Sequence, residues 1–358
     1  MPLSLLKDAI GSKAVLVLIS IIAAFLVGVT LLELRTVLVP FAVALLLSIM
    51  FQPLVVYFKR KRIPTYLTLT AVLLSLAIAL GLAGLVVYQS ARSLTTSINH
   101  YESRIDELVE QAESAAARIA GPLGLDVEDL DASRVINLSF FSGLVSTGLG
   151  SFFTFLANAF LVLLFMLFIL ASSGELATKV RRAYPEEVAE RVEIVTQNIT
   201  RGVRRYLVAK TFVSGLTGVL VGLVLWILGV DFPVFWGFIT FVFNFIPNIG
   251  SIAAVVLAFL AAVLQFHTLT TPLIALASMA VIQMVVGNWV DPMVMATNLD
   301  LSPLLVIVSL IFWGWLWGIA GAVLAVPLTA TIKIIFENAS GMQPLAVLMG
   351  SAPKPPST

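Results

Sequence analysis

The chain reads as long apolar blocks divided by short polar ones. A helix that crosses a bilayer needs roughly 20 apolar residues. Five blocks of that kind stand apart: Ala14–Leu32, Val37–Phe58, Tyr66–Tyr88, Leu144–Ala171 and Tyr206–Val230. Pro40 falls in the first turn of the second block, where a missing N–H costs little. From Phe232 to Ile335 the apolar mass is nearly continuous, but proline and glycine cut it. One broken block runs from Phe232 to Phe266 around Pro247-Asn248-Ile249-Gly250-Ser251, and another from Pro303 to Ile335 holds Gly314, Gly318, Gly321 and Pro327. Each half of these blocks is too short for a full span. They predict two re-entrant hairpins, with two short tilted spans joined by a tight turn as the alternative. Between them lies a further apolar segment, Leu273–Met295.

The polar intervals have patterns of their own. Leu94, Ile98, Tyr101, Ile105, Leu108, Ala112, Ala115 and Ile119 recur at alternating spacings of four and three. That is a heptad seam on a helix that continues the third span into water and stops near Gly121-Pro122. The seam packs either on the protein's own surface or between subunits. After Pro185, Val188, Val192, Val195, Ile199 and Val203 predict a second amphipathic helix that runs into the fifth span.

Composition sharpens this reading. Of 358 residues, 59% are apolar and 11% charged, where an ordinary soluble protein carries about 25% charged residues. The mean hydropathy is +1.05. A soluble enzyme, a disordered chain and a nucleic-acid binder are excluded, and the fold class is all-α: a polytopic helical membrane protein of about eight helices. With no cysteine, thiol chemistry and disulfides are excluded, and two distant histidines make no metal site. No cofactor is expected. Lys7 and Lys13 precede the first apolar block without a small-residue cleavage site, so it is read as a retained span.

Charge placement orients the spans. Lys59-Arg60-Lys61-Arg62 is purely basic, and 172–205 carries seven basic residues, so both are expected in the cytoplasm. The segment 89–150 holds four basic residues against nine acids and is expected outside. The expected organisation is spans one to three in 1–88, an extracytoplasmic helical segment in 89–143, a fourth span in 144–171 and a cytoplasmic helical segment in 172–205. A transport core fills 206–335, and a C-terminal tail fills 336–358.

From Thr211 to Ile332 there is no Lys or Arg, and the only charges are Asp231, Asp291 and Asp300. A carboxylate at membrane depth is a functional hypothesis by default. Asp291, in Gly287-Asn288-Trp289-Val290-Asp291-Pro292, is therefore either an ion-coupling group or a cap ahead of Pro292. Asp231 and Asp300 sit at segment ends and read as caps. Lys210 either snorkels to the surface or pairs with Asp291 as a second ion-coupling candidate. Ser214, Gly218 and Gly222 form a small-residue stripe that permits close helix approach. Trp313, Trp315 and Trp317 read as an aromatic belt or core packing, or else as a stacking surface. Broken helices bind polar solutes through the free N–H and C=O groups at their ends. The candidate substrate residues are Asn244, Pro247, Asn248, Gly250, Ser251, Gln283, Asn288 and Asp291, with Asn288 and Asp291 expected on one helical face. No P-loop, H-E-x-x-H or Ser-His constellation is present.

The strings VPFAVALLLSIMFQPLV at 39–55, FNFIPNIGS at 243–251, GNWVDPMVM at 287–295 and LSPLLVIVSLIFWGWLWGIAGAVLAVPLTATIKI at 301–334 resemble the autoinducer-2 exporter family over nearly the whole chain. The C-terminal PLAVLM resembles the branch around the signal exporter itself. The resemblance implies an inner-membrane homo-oligomer, a pentamer, embedded in the lipid bilayer. It also implies export of a small, highly hydroxylated signal molecule. Some relatives look like sodium/proton antiporters, which keeps that alternative open. Where relatives often carry a Gly-Arg-Gly-like turn, this chain has Ala296-Thr297-Asn298-Leu299-Asp300, without a cation.

Overall fold

The fold is described from a computed structural model covering residues 3–120, 138–172, 175–295, 300–339 and 341–351, for parts of the outer helices as backbone alone. Among the described residues every regular element is helical. The elements are α1 (Leu3–Glu33), α2 (Arg35–Arg60), α3 (Thr65–Ala120), α4 (Leu138–Ser172), α5 (Glu175–Ala183), α6 (Glu186–Ile227), α7 (Pro233–Phe243) and α8 (Ile249–Gln265). They continue as α9 (Thr270–Val285), a π-turn (Val286–Val290), α10 (Asp291–Met295), α11 (Pro303–Asn338) and α12 (Gln343–Met349). Both expected extensions are present: α3 runs past its apolar part to Ala120, and α6 starts just after Pro185. The heptad side chains from Leu94 to Ile119 and the turn at 296–299 lie outside the described residues.

Among the described residues six helices are long and apolar enough to cross a membrane, and the stretches 17–33, 233–243 and 249–265 are shorter apolar helices. One of the six, α11, is not straight. Trp313 Nε1 donates to Thr329 Oγ1 at 3.2 Å, although sixteen residues of straight helix would separate them by about 24 Å. The chain turns back at Gly318, where φ is 64° and ψ −145°. Glycine alone tolerates that conformation without strain. The arms 303–317 and 319–338 therefore form a hairpin within α11, and α7 with α8 forms another. The same steric device closes both: a Cβ on Gly250 would collide with the Phe243 carbonyl oxygen, and a Cβ on Gly321 with that of Trp313.

The long helix α6 is the axis around which the hairpins are placed. At one end, α7 runs antiparallel to it. A Cβ on Gly222 would lie 3.2 Å from the Pro233 oxygen, one on Gly218 would lie 2.6 Å from that of Gly237, and Asn244 reaches Ser214. The small-residue stripe thus receives a hairpin arm. Gln265 closes the base of this hairpin, accepting from the Asp231 N–H at 2.7 Å and donating to the Gly229 carbonyl at 2.8 Å. At the other end, Arg191 donates to the Asn338 carbonyl at 2.8 Å, and Leu324 and Val326 pack with Val203, Tyr206 and Leu207. Continued at about 1.5 Å per residue, that arm reaches Gly318 near the level of Phe212. The two hairpins therefore approach from opposite ends of α6, and their tips meet near Ser214. Ile246, from one tip, packs on the cluster of Leu310, Trp313, Leu316 and Ala325 in the other hairpin.

A second core joins α2, α3 and α4 through Ala44, Val55, Leu69, Val72, Val162, Met166 and Leu170. It sits beside the hairpin assembly, linked through Ala42 and Leu46 of α2. The segment 336–358 is partly helical: α12 folds back so that the Ser302 N–H donates to the Met349 carbonyl at 3.0 Å.

Candidate transport site

Five polar residues gather where the hairpin tips meet. Asn244 is buried at the end of α7. Its amide Nδ2 donates to Ser214 Oγ at 3.1 Å, and its Oδ1 accepts from Ser251 Oγ at 3.1 Å. One side chain thereby ties α6 to both arms of a hairpin. Four residues before Ser214, and so on the same face of α6, Lys210 is 5% exposed. Its Nζ lies 3.4 Å from Asp291 Oδ2. Lys210 therefore pairs with Asp291 rather than snorkelling. The carboxylate offsets part of the roughly several kcal/mol that taking the cation out of water costs.

The turn between Asn244 and Ser251 is strained. Asn248 has φ 60° and ψ −58°, and the Ile249 N–H donates across it to the Pro247 carbonyl at 2.7 Å. This is a three-residue γ-turn of the positive-φ kind, which costs free energy and persists only where its surroundings impose it. Asn248 is exposed and Pro247 half-buried, while Gly250 is packed against the Phe243 carbonyl.

Asp291 is set by a π-turn. Residues 286–290 form one turn of i→i+5 helix between α9 and α10, a feature found frequently at functional positions. The wider turn separates the faces of Asn288 and Asp291. Asn288 is exposed and donates back to the Met284 carbonyl at 2.9 Å, while Asp291 turns toward α6. Among the described residues Asp291 Oδ1, which is buried, has no hydrogen-bond partner, and neither does Gln283 Nε2. The structure thus brings together Asn244 with Ser251, and Lys210 with Asp291. It leaves Asn248 and Asn288 at the surface of the same region. Sequence reasoning assigned Ser214 to helix packing only. Its spacing of four from Lys210 was the signal that it shares the polar face.

The tryptophans divide by role. Trp313 is buried and bonded to Thr329, Trp317 donates to the Leu31 carbonyl at 3.0 Å, and Trp315 is exposed. Asp300 is more than a cap. Its Oδ2 lies 2.8 Å from the Nζ of buried Lys333, and its Oδ1 accepts from Ser351. That hydrogen bond from Lys333, with those from Ser351, holds the Asp300 carboxyl below its ordinary value. Among the described residues no group of three His, Asp or Glu side chains could hold a metal ion.

Spanning helices, two opposed hairpins and an ion pair at their junction define a multi-pass membrane transporter. The sequence profile described as AI-2E family transporter matches residues 17–341. The AI-2 transport protein TqsA of Escherichia coli (strain K12) is 33% identical over 318 residues, 89% of this chain and 90% of that one. A Haemophilus influenzae protein, named for transport without a solute, is 31% identical over 321 residues, 88% of this chain and 90% of its own. A Borreliella burgdorferi protein of the same description is 29% identical over 318 residues, 87% and 84% of the two chains. The chain belongs to the AI-2E transporter family. It is a multi-pass protein of the bacterial inner membrane, and its family is one of transporters rather than enzymes.

Proposed function

We propose that this protein is a secondary exporter of a small polar signal molecule of the autoinducer-2 type. The observation that carries the reading is the meeting of two oppositely directed hairpin tips at the Ser214–Asn244–Ser251 hydrogen-bond chain, beside Lys210 and Asp291. Hydroxyls and amides at membrane depth suit a hydroxylated solute, since each hydrogen bond contributes about 0.5–1.5 kcal/mol net. Pro247, Asn248, Gly250 and Asn288 line the approach in this reading, and Gln283 offers an unused amide donor. The end bearing Lys59–Arg62 faces the cytoplasm, so solute is taken from the side of the α11 hairpin and released on the side of α7 and α8. The working form is a homo-oligomer, five copies by the family resemblance.

A second reading is sodium/proton exchange, with Asp291 as the titrating carrier. It is favoured by the buried, unpartnered Oδ1 of that residue. Cells lacking their own copy, expressing this chain, separate the two. Export lowers the intracellular signal whether or not sodium is present. Antiport leaves the signal unchanged and moves protons in everted vesicles when sodium is added.

A further inference from the structure

A cavity of about 390 Å³ opens where α2, α5 and α6 meet, on a different face of α6 from Lys210 and Ser214. Its floor is aliphatic, with Val180 from α5 and Ala189 from α6. Its rim is built from hydrogen-bond donors: Gln52 of α2, and Thr200, Arg201 and Arg204 of α6. Spacings of three and four place the α6 residues on one helical face. Among the described residues, none of these four side chains has an ion pair or a hydrogen bond. The acid on the wall, Glu193, is already engaged by Arg181 at 2.7 Å and by Gln197 at 3.3 Å.

Two guanidinium groups without a counter-ion, flanked by a hydroxyl and an amide, match the oxygens of a phosphate group. Arginine forks bind such oxygens in pairs. The depth fits as well. Arg204 lies about 9 Å along the helix from buried Lys210, and the short helix α5, with Lys179, Arg181 and Arg182, follows directly after the membrane helix α4. That is the level of lipid headgroups on the basic side of the molecule. The cavity volume suits a headgroup and not a whole lipid.

We infer that this cavity is a phosphate-binding site, filled by the headgroup of an anionic phospholipid or by a soluble phosphate ester. The protein is placed in phosphatidylcholine nanodiscs, with and without phosphatidylglycerol, and its melting temperature is recorded. A parallel series adds glycerol 3-phosphate to the phosphatidylcholine discs. For wild type, one of the two additions raises the melting temperature, and which one does so identifies the source. Arg201→Gln with Arg204→Gln raises the amount of additive needed for the same shift about tenfold or more, since each basic residue near an anionic surface contributes roughly fivefold in affinity. Lys59→Gln with Arg60→Gln, which removes equal charge from the end of α2, keeps the response. Arg201→Gln alone, at an exposed position, gives an intermediate loss and serves if the double variant does not fold. The proposal is overturned if neither addition shifts wild type, if the arginine variants respond as wild type does, or if the α2 control loses the response equally.

Discussion

The Nζ of Lys210 lies 3.4 Å from Oδ2 of Asp291, tying the middle of α6 to the residue just past the π-turn. Removing one partner strands the other charge. Lys210→Met or Asp291→Asn alone is expected to destabilise the protein, at or below the roughly 3–5 kcal/mol found for fully buried pairs, because Asp291 keeps some exposure. Lys210→Met combined with Asp291→Asn is expected to recover most of that loss. Melting curves of the three variants in detergent check this. Additive losses in the double variant would mean that the two residues act independently.

Gly318 reverses α11 with a backbone conformation closed to other residues. Gly318→Ala is expected to cost about 1–3 kcal/mol. Gly28→Ala, in the open middle of α1 where a Cβ meets nothing within 4 Å, is expected to be neutral or slightly stabilising. Thermal stability of the two variants, compared side by side, tests whether α11 is a hairpin or a straight span.

Asp300 joins α11 to the C-terminal segment through Lys333 and Ser351. Its carboxyl is held below its ordinary value, so the folded form favours the ionised state. The resulting stability is complete above the unfolded value of 3.8 and is lost as pH falls through the lower folded value. Protection of 343–349 against hydrogen exchange, relative to the free-peptide rate at the same pH, is expected to hold from neutral pH down to about 5 and to fall only below 3.8. Asp300→Asn is expected to lose that protection already at neutral pH.

The orientation is checked by cysteines, since the chain has none. Ser114→Cys, near the end of α3, is expected to react with an impermeant thiol reagent in intact cells. Ala183→Cys, at the end of α5, is expected to react only after lysis. The reverse pattern would invert the molecule in the membrane.

Much of this architecture is legible in the sequence because membrane physics leaves few options. Apolar length marks the spans, and Pro247 through Ser251 and Gly318 through Gly321 mark the tips, because backbone that leaves the helix there needs proline, glycine or asparagine. The pairing of Lys210 with Asp291 remained one of two options, since a lysine near the end of an apolar run satisfies either. Ser214 was hidden because a serine between glycines looks like packing, and its partner Asn244 lies thirty residues away. The displacement of Asn288 from the Asp291 face was not legible. A π-turn has no composition of its own, and i,i+3 reasoning assumes an unbroken α-helix. The folding of α12 onto Ser302 and Asp300 depends on long-range contacts that no local pattern announces.

In the proposed transport cycle, solute is held where the hairpin tips meet, on Ser214, Asn244 and Ser251. The decisive experiment loads proteoliposomes with autoinducer-2 and measures efflux through reconstituted wild type and Asn244→Ala at equal incorporation and equal oligomer size. Efflux through Asn244→Ala is expected to fall roughly 2- to 12-fold per lost hydrogen bond, with Gly28→Ala as fast as wild type. Wild-type efflux from Asn244→Ala would remove the hairpin tips as the place where solute is held.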